Sequence, residues 1–151
     1  MAKQKSKLDP FEVAFFEGVR EAYASIIEDY HFSIIEDSPY SVELRSEVCV
    51  ISINREWRGS LISGNIKPAR REQVPKAQYY NSVGLSFLIK FLDPETNFAY
   101  GESCPTPERM VEEINKLAEV TRQYCVPMME GDFTEWLELR KIVMKEAGIP
   151  F

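Results

Sequence analysis

Histidine is almost missing from this chain: His31 is the single one in 151 residues. Proton-transfer sites working near neutral pH and transition-metal sites draw on histidine first. With only one, HExxH zinc sites and two-histidine facial triads are excluded. Cysteine is scarce as well. Cys49, Cys104 and Cys125 are odd in number, far apart and never arranged as CxxC. That spacing argues against a disulfide framework and a zinc site, and points to a reducing, cytoplasmic setting. Phosphate-cradling glycine loops are absent: Gly59-Ser60-Leu61-Ile62-Ser63-Gly64 fits neither GxGxxG nor a P-loop. No GxSxG or DFG-like motif occurs. No apolar run approaches the ~20 residues of a membrane span. The basic start, Met1 to Lys7, leads into apolar residues at helical spacing rather than into the apolar core of a signal peptide. The expectation is therefore no cofactor, no metal, no membrane and no enzyme motif.

What is present suits one globular domain. Hydrophobic residues make up 44% of the chain, and nine Phe, seven Tyr and two Trp supply bulky core material without help from disulfides. Residues 1 to 8 read as a disordered tail and 9 to 151 as the domain. The net charge of −6 is unevenly spread. Arg55, Arg58, Lys67, Arg70, Arg71 and Lys76 oppose only Glu56 and Glu72 between positions 55 and 76, which leaves the remainder strongly acidic. Bulk acidity works against wholesale nucleic-acid binding and favours attraction to a basic protein.

The hydrophobic spacing changes period along the chain. Asp9-Pro10-Phe11-Glu12 is a helix start, and Phe11, Phe15, Val19, Tyr23, Ile26 and Tyr30 continue as one amphipathic helix over 10 to 30. Strands follow: Phe32 to Glu36, then Tyr40, Val42 and Leu44 alternating with polar residues, then a central strand from Val48 to Asn54. Arg55 to Gly59 turns the chain and Leu61 to Ile66 returns it, giving an antiparallel meander of about four strands. Lys67 to Gln78 reads as a loop and Asn81 to Leu92 as a second helix. Thr106-Pro107 opens a third helix to Cys125, and Asp132-Phe133-Thr134-Glu135 a capping box for the last. The fold class is α+β, with the apolar faces of helices 10–30 and 107–125 packed on Val42, Leu44, Ile51 and Ile53.

Few residues offer chemistry. His31 stands beside Glu28, Asp29, Glu36 and Asp37, as a general base or metal ligand would, but without a second histidine it is expected to be an ordinary junction residue. Cys104 precedes the Thr106 cap, where a helix N-terminus activates thiols, yet a nucleophile needs a base and the only histidine is remote. Arg70, Arg71, Tyr79 and Tyr80 have the composition of a single-strand grip, at lower charge density than such grips use. Two features suit a protein partner instead. Glu17, Glu21 and Glu28 form an acidic stripe on the first helix, with Glu17 and Glu21 mildly repelling at i,i+4. Arg55, Trp57 and Arg58 form a hairpin tip of the composition common in interface anchors.

One stretch carries a family resemblance. Leu117-Ala118, a helical spacer, Tyr124, the short apolar turn Cys125 to Met129, Gly131-Asp132 and then another helix follow a pattern of small bacterial proteins. Tyr30-His31-Phe32 followed by Ser41 to Ser46 fits the same pattern. The chain resembles immunity proteins of bacterial polymorphic-toxin systems. The resemblance implies a cytoplasmic, non-enzymatic, acidic inhibitor that binds and occludes a cognate toxin domain, and it transfers no site residues. Two other readings stay open: a small enzyme or ligand carrier with a pocket between sheet and helices, and a nucleic-acid accessory protein. Oligomeric state is not legible here.

Overall fold

The computed structural model describes residues 9–56, 61–76, 79–98, 104–146 and 148, with the side chains of Glu36 and Asp37 set aside. The expected tail, 1 to 8, and the tip residues Trp57 and Arg58 lie outside the described residues. The chain runs α1 (Pro10–Ala22), α2 (Ala24–Asp29), β1 (Ser33–Ser38), β2 (Ser41–Arg45), β3 (Cys49–Glu56) and β4 (Leu61–Pro68). A 3₁₀ turn (Arg71–Gln73) leads to β5 (Val83–Gly84), α3 (Leu85–Leu92), α4 (Pro107–Tyr124), α5 (Val126–Met129) and α6 (Thr134–Glu146).

The fold class is α+β: five antiparallel strands in the order β1-β2-β3-β4-β5, with helices packed on the sheet. Register places Val42 opposite Ile53, Leu44 opposite Ile51 and Ile51 opposite Ile66, so all share one face, and all are buried. The reverse face carries Ser41, Glu43, Ser52, Asn54, Ser63 and Asn65, each partly exposed. This alternation is what a sheet covered on one side requires. The helices supply the other half of the core through Phe15, Val19, Tyr23 and Ile26 from α1 and α2 and through Met110, Ile114 and Leu117 from α4. The caps read from sequence form at two helices: Asp9 accepts from the Glu12 amide at 2.9 Å and Thr106 from the Arg109 amide at 3.1 Å.

Four local expectations need correction. The first helix is two helices, because the backbone leaves helical geometry at Tyr23, whose buried hydroxyl is 3.2 Å from Thr121 Oγ1 on α4. The segment 81–92 is not one helix. Val83 and Gly84 add a fifth strand opposite Ile66 and Asn65, and the helix begins only at Leu85, since glycine weakens a helix interior and sits easily in extended backbone. Asp132 does not form the box with Glu135; its carboxylate instead takes the Thr134 amide and hydroxyl at 3.0 and 2.7 Å. Finally, β3 runs two residues past Asn54, and this moves Arg55 from the turn onto the buried face.

A buried bond ties the last helix to the sheet, Trp136 Nε1 donating to the Ile66 carbonyl at 3.1 Å, with the Phe133 ring nearly perpendicular to the indole. Trp136→Phe keeps an aromatic ring but removes the donor from a buried carbonyl. It is expected to cost about 1–3 kcal/mol, read as a lowered urea midpoint with an unchanged slope.

Candidate interaction surface

The acidic stripe forms as a surface. Val13, Glu17, Glu21, Ala24 and Glu28 are exposed at helical spacing along the outward side of α1 and α2, opposite Phe15, Val19, Tyr23 and Ile26. The step at Tyr23 does not divide it, because the Ile27 amide still reaches the Tyr23 carbonyl at 2.8 Å. Between residues 9 and 31 there are six acids and one base, Arg20. Among the described residues none of Glu17, Glu21 and Glu28 is in an ion pair.

At its C-terminal end the stripe runs into an open cleft of about 760 Å³. Three stretches far apart in sequence build it: Asp29 to His31, Ser46 to Val48, and Met129 to Glu130. Its carboxylates are Asp29, Glu47 and Glu130, and Tyr30, Val48 and Met129 give it apolar walls. Asp29 is partly neutralised by Arg122 at 3.8 Å, and Arg122 also bonds Ser25. Two helices end at this cleft with the same cap. The Phe32 amide returns to the Ile27 carbonyl after α2, and the Asp132 amide to the Pro127 carbonyl after α5. Each such cap needs one left-handed residue between. In α5 it is Gly131 at φ +98°; in α2 it is His31 at φ +59°. His31 is thus placed at the cleft by backbone geometry, with its imidazole exposed. Helix C-termini carry partial negative charge, so caps and carboxylates together favour cations.

The hairpin tip divides. Arg55 follows Cys49, Ile51 and Ile53 in phase and is only 9% exposed. Its guanidinium lies 5.8 Å from the Phe11 ring and 5.3 Å from the Tyr40 ring, and Nη1 donates to the Pro39 carbonyl at 3.3 Å. Alternation on β3 was the available signal for this burial.

The residues considered for other chemistries are not brought together. Tyr79 is buried in the core, and Tyr80 donates to the Ala69 carbonyl at 2.7 Å with Lys67 Nζ 4.3 Å from its ring, so neither ring is offered for base stacking. All three cysteines are buried. Burial pushes the Cys125 thiol up to about 12, and burial followed by the neighbouring Cys125 raises Cys49. Thiols raised this far are protonated and poorly nucleophilic near neutral pH. Among the described residues no three His, Cys, Asp or Glu side chains are grouped to hold a metal, and no helix is long and apolar enough to cross a membrane. Comparison of the chain with family models, curated proteins and solved structures finds no match.

The two cap residues make a paired prediction. Gly131 has both a left-handed backbone and a close neighbour, since an added Cβ would lie 3.3 Å from Val48 Cβ. Gly131→Ala is expected to destabilise by roughly 1–2 kcal/mol, whereas His31→Gly relieves a left-handed non-glycine residue and is expected to be neutral or to stabilise by up to about 1 kcal/mol. Urea titration of both variants reads the opposite signs.

Proposed function

We propose that the chain is a non-enzymatic binding protein that docks a basic protein partner on the outward side of α1 and α2, in the manner of an immunity-like inhibitor occluding a bacterial toxin. The observation that carries the reading is the run of carboxylates at Glu17, Glu21 and Glu28, exposed on one side and without ion pairs among the described residues. A helix serving only its own stability would place lysine opposite glutamate at i,i+4. Repeated exposed acids instead create a field that steers a basic partner and suppresses acidic ones. Occlusion needs no catalytic group on this chain, in keeping with closed thiols and a single histidine set by its backbone.

A second reading, a ligand carrier or small enzyme, is favoured by the placement of His31 in an open cleft. A thermal-shift panel of metabolites and metal ions addresses it. The stabilisation it predicts disappears in His31→Asn, which tolerates left-handed backbone and removes the imidazole.

For the leading reading, the chain is co-expressed with the product of the adjacent gene. A complex and relief of toxicity are expected. The triple variant E17K/E21K/E28K is expected to keep its fold by circular dichroism and to slow association roughly tenfold or more at low salt, with the difference shrinking as salt rises. Absence of any complex overturns the reading.

A further inference from the structure

Arg55 is the one strongly basic group among the described residues that is nine-tenths buried. A buried cation ordinarily has a carboxylate beside it, because burial strips it of water. Arg55 has none among the described residues. Two aromatic rings, Phe11 and Tyr40, lie within 6 Å of the guanidinium carbon, and Nη1 is taken by the Pro39 carbonyl. Nε, on the other edge, is closed off from water and has no acceptor among the described residues. A buried donor without an acceptor calls for an explanation. This one is the side of a guanidinium that accepts a planar oxyanion through two parallel bonds.

The location connects it to the stripe. Phe11 and Val13 are in the first turns of α1, one turn before Glu17, and Val13 is 36% exposed. Tyr40, stacked on the guanidinium, is 46% exposed on the turn between β1 and β2, so one wall of the site faces outward. Along the axis of α1, Phe11 lies beyond Glu28, Glu21 and Glu17, at the N-terminal end of the stripe.

We propose that Arg55, held between Phe11 and Tyr40, receives a side-chain carboxylate of the docked partner. The proposal rests on the reading of α1 and α2 as the docking face and names the anchor at its end. The occupant is a carboxylate rather than a phosphate. Glu12, in the first turn of α1, and Glu56, next on β3, are chain neighbours of the site, and repulsion from them is greater for a dianion.

The test needs no partner. The Arg55 Hε–Nε signal of the intact protein is followed by NMR while sodium acetate is added, against sodium chloride at equal ionic strength and against inorganic phosphate. Acetate is expected to give a saturable shift that chloride does not. Arg55→Lys, which keeps the charge but lacks the planar fork, is expected to weaken acetate binding about tenfold, read from the Tyr40 ring signals. A shift that only tracks ionic strength overturns the proposal, and so does tighter binding of phosphate than of acetate. E17K/E21K/E28K is expected to leave acetate binding in place. Acetate binding without a complex with the adjacent gene product sinks the docking face alone, and a complex without acetate binding sinks the Arg55 anchor alone.

Discussion

Leu85 of α3 and Leu117 of α4 meet the sheet at Gly64, where a Cβ would lie 2.7 Å from Leu85 Cδ1 and 3.3 Å from Leu117 Cδ2. The missing side chain in the middle of β4 lets both helices settle onto the backbone, with the Ser52 carbonyl only 3.4 Å from the same point. The rest of the molecule hangs from this seat. Helix α4 carries α1 on its other side, Tyr23 and Thr121 bond between them, and Trp136 fixes α6 two residues further along β4 at Ile66. Helices seated on one face commit that face to the core and leave Ser41, Ser52, Asn54, Ser63 and Asn65 on the other. The edge strand β1 is managed separately. Its register shifts between Ile34 and Glu36, and such a bulge disrupts the ladder that a second sheet would need.

The same packing decides which side of α1 and α2 meets water. With Phe15, Val19, Tyr23 and Ile26 turned inward, helical geometry leaves Val13, Glu17, Glu21, Ala24 and Glu28 outward whatever their identity. Choosing acids at three of those positions is therefore independent of the fold. They add nothing to the core, and no ion pair among the described residues uses them. The polar sheet face differs, because Glu43 is 3.7 Å from Arg45 and Ser41 bonds Asn54 at 3.1 Å, so its groups are already engaged with one another.

How far the residues alone revealed this varies with the range of the interactions. Val42 and Leu44, Ile51 and Ile53, and the caps at Asp9 and Thr106 are local patterns, and they read correctly. The break at Tyr23 was invisible because it coincides with a hydroxyl bond to a residue 98 positions away. Gly84 was absorbed into a helix because its partner strand is set by the path of the chain, not by its neighbours. The cleft at His31 is assembled from three separate stretches, so periodicity could not announce it, although the histidine that lines it was visible. Arg55 was legible in principle: its phase with Ile51 and Ile53 outweighs the habit of placing arginine in turns.

Stripe and anchor would contribute to binding in different ways. Exposed charges such as Glu17, Glu21 and Glu28 act at a distance, through water, and lose their effect within about a Debye length as salt rises. On the proposed reading they would govern how fast a partner arrives and which partners are turned away. A buried guanidinium with an unfilled edge acts only on contact, where water is excluded and a charge-assisted bond is strongest. It would govern how slowly the partner leaves. On the proposed reading, Phe11 at the start of α1 would link the two, the field aligning a partner along the helix before its acid meets Arg55. The acidic surface alone would attract many basic proteins weakly, so on the proposed reading selectivity would fall to the buried, directional Arg55.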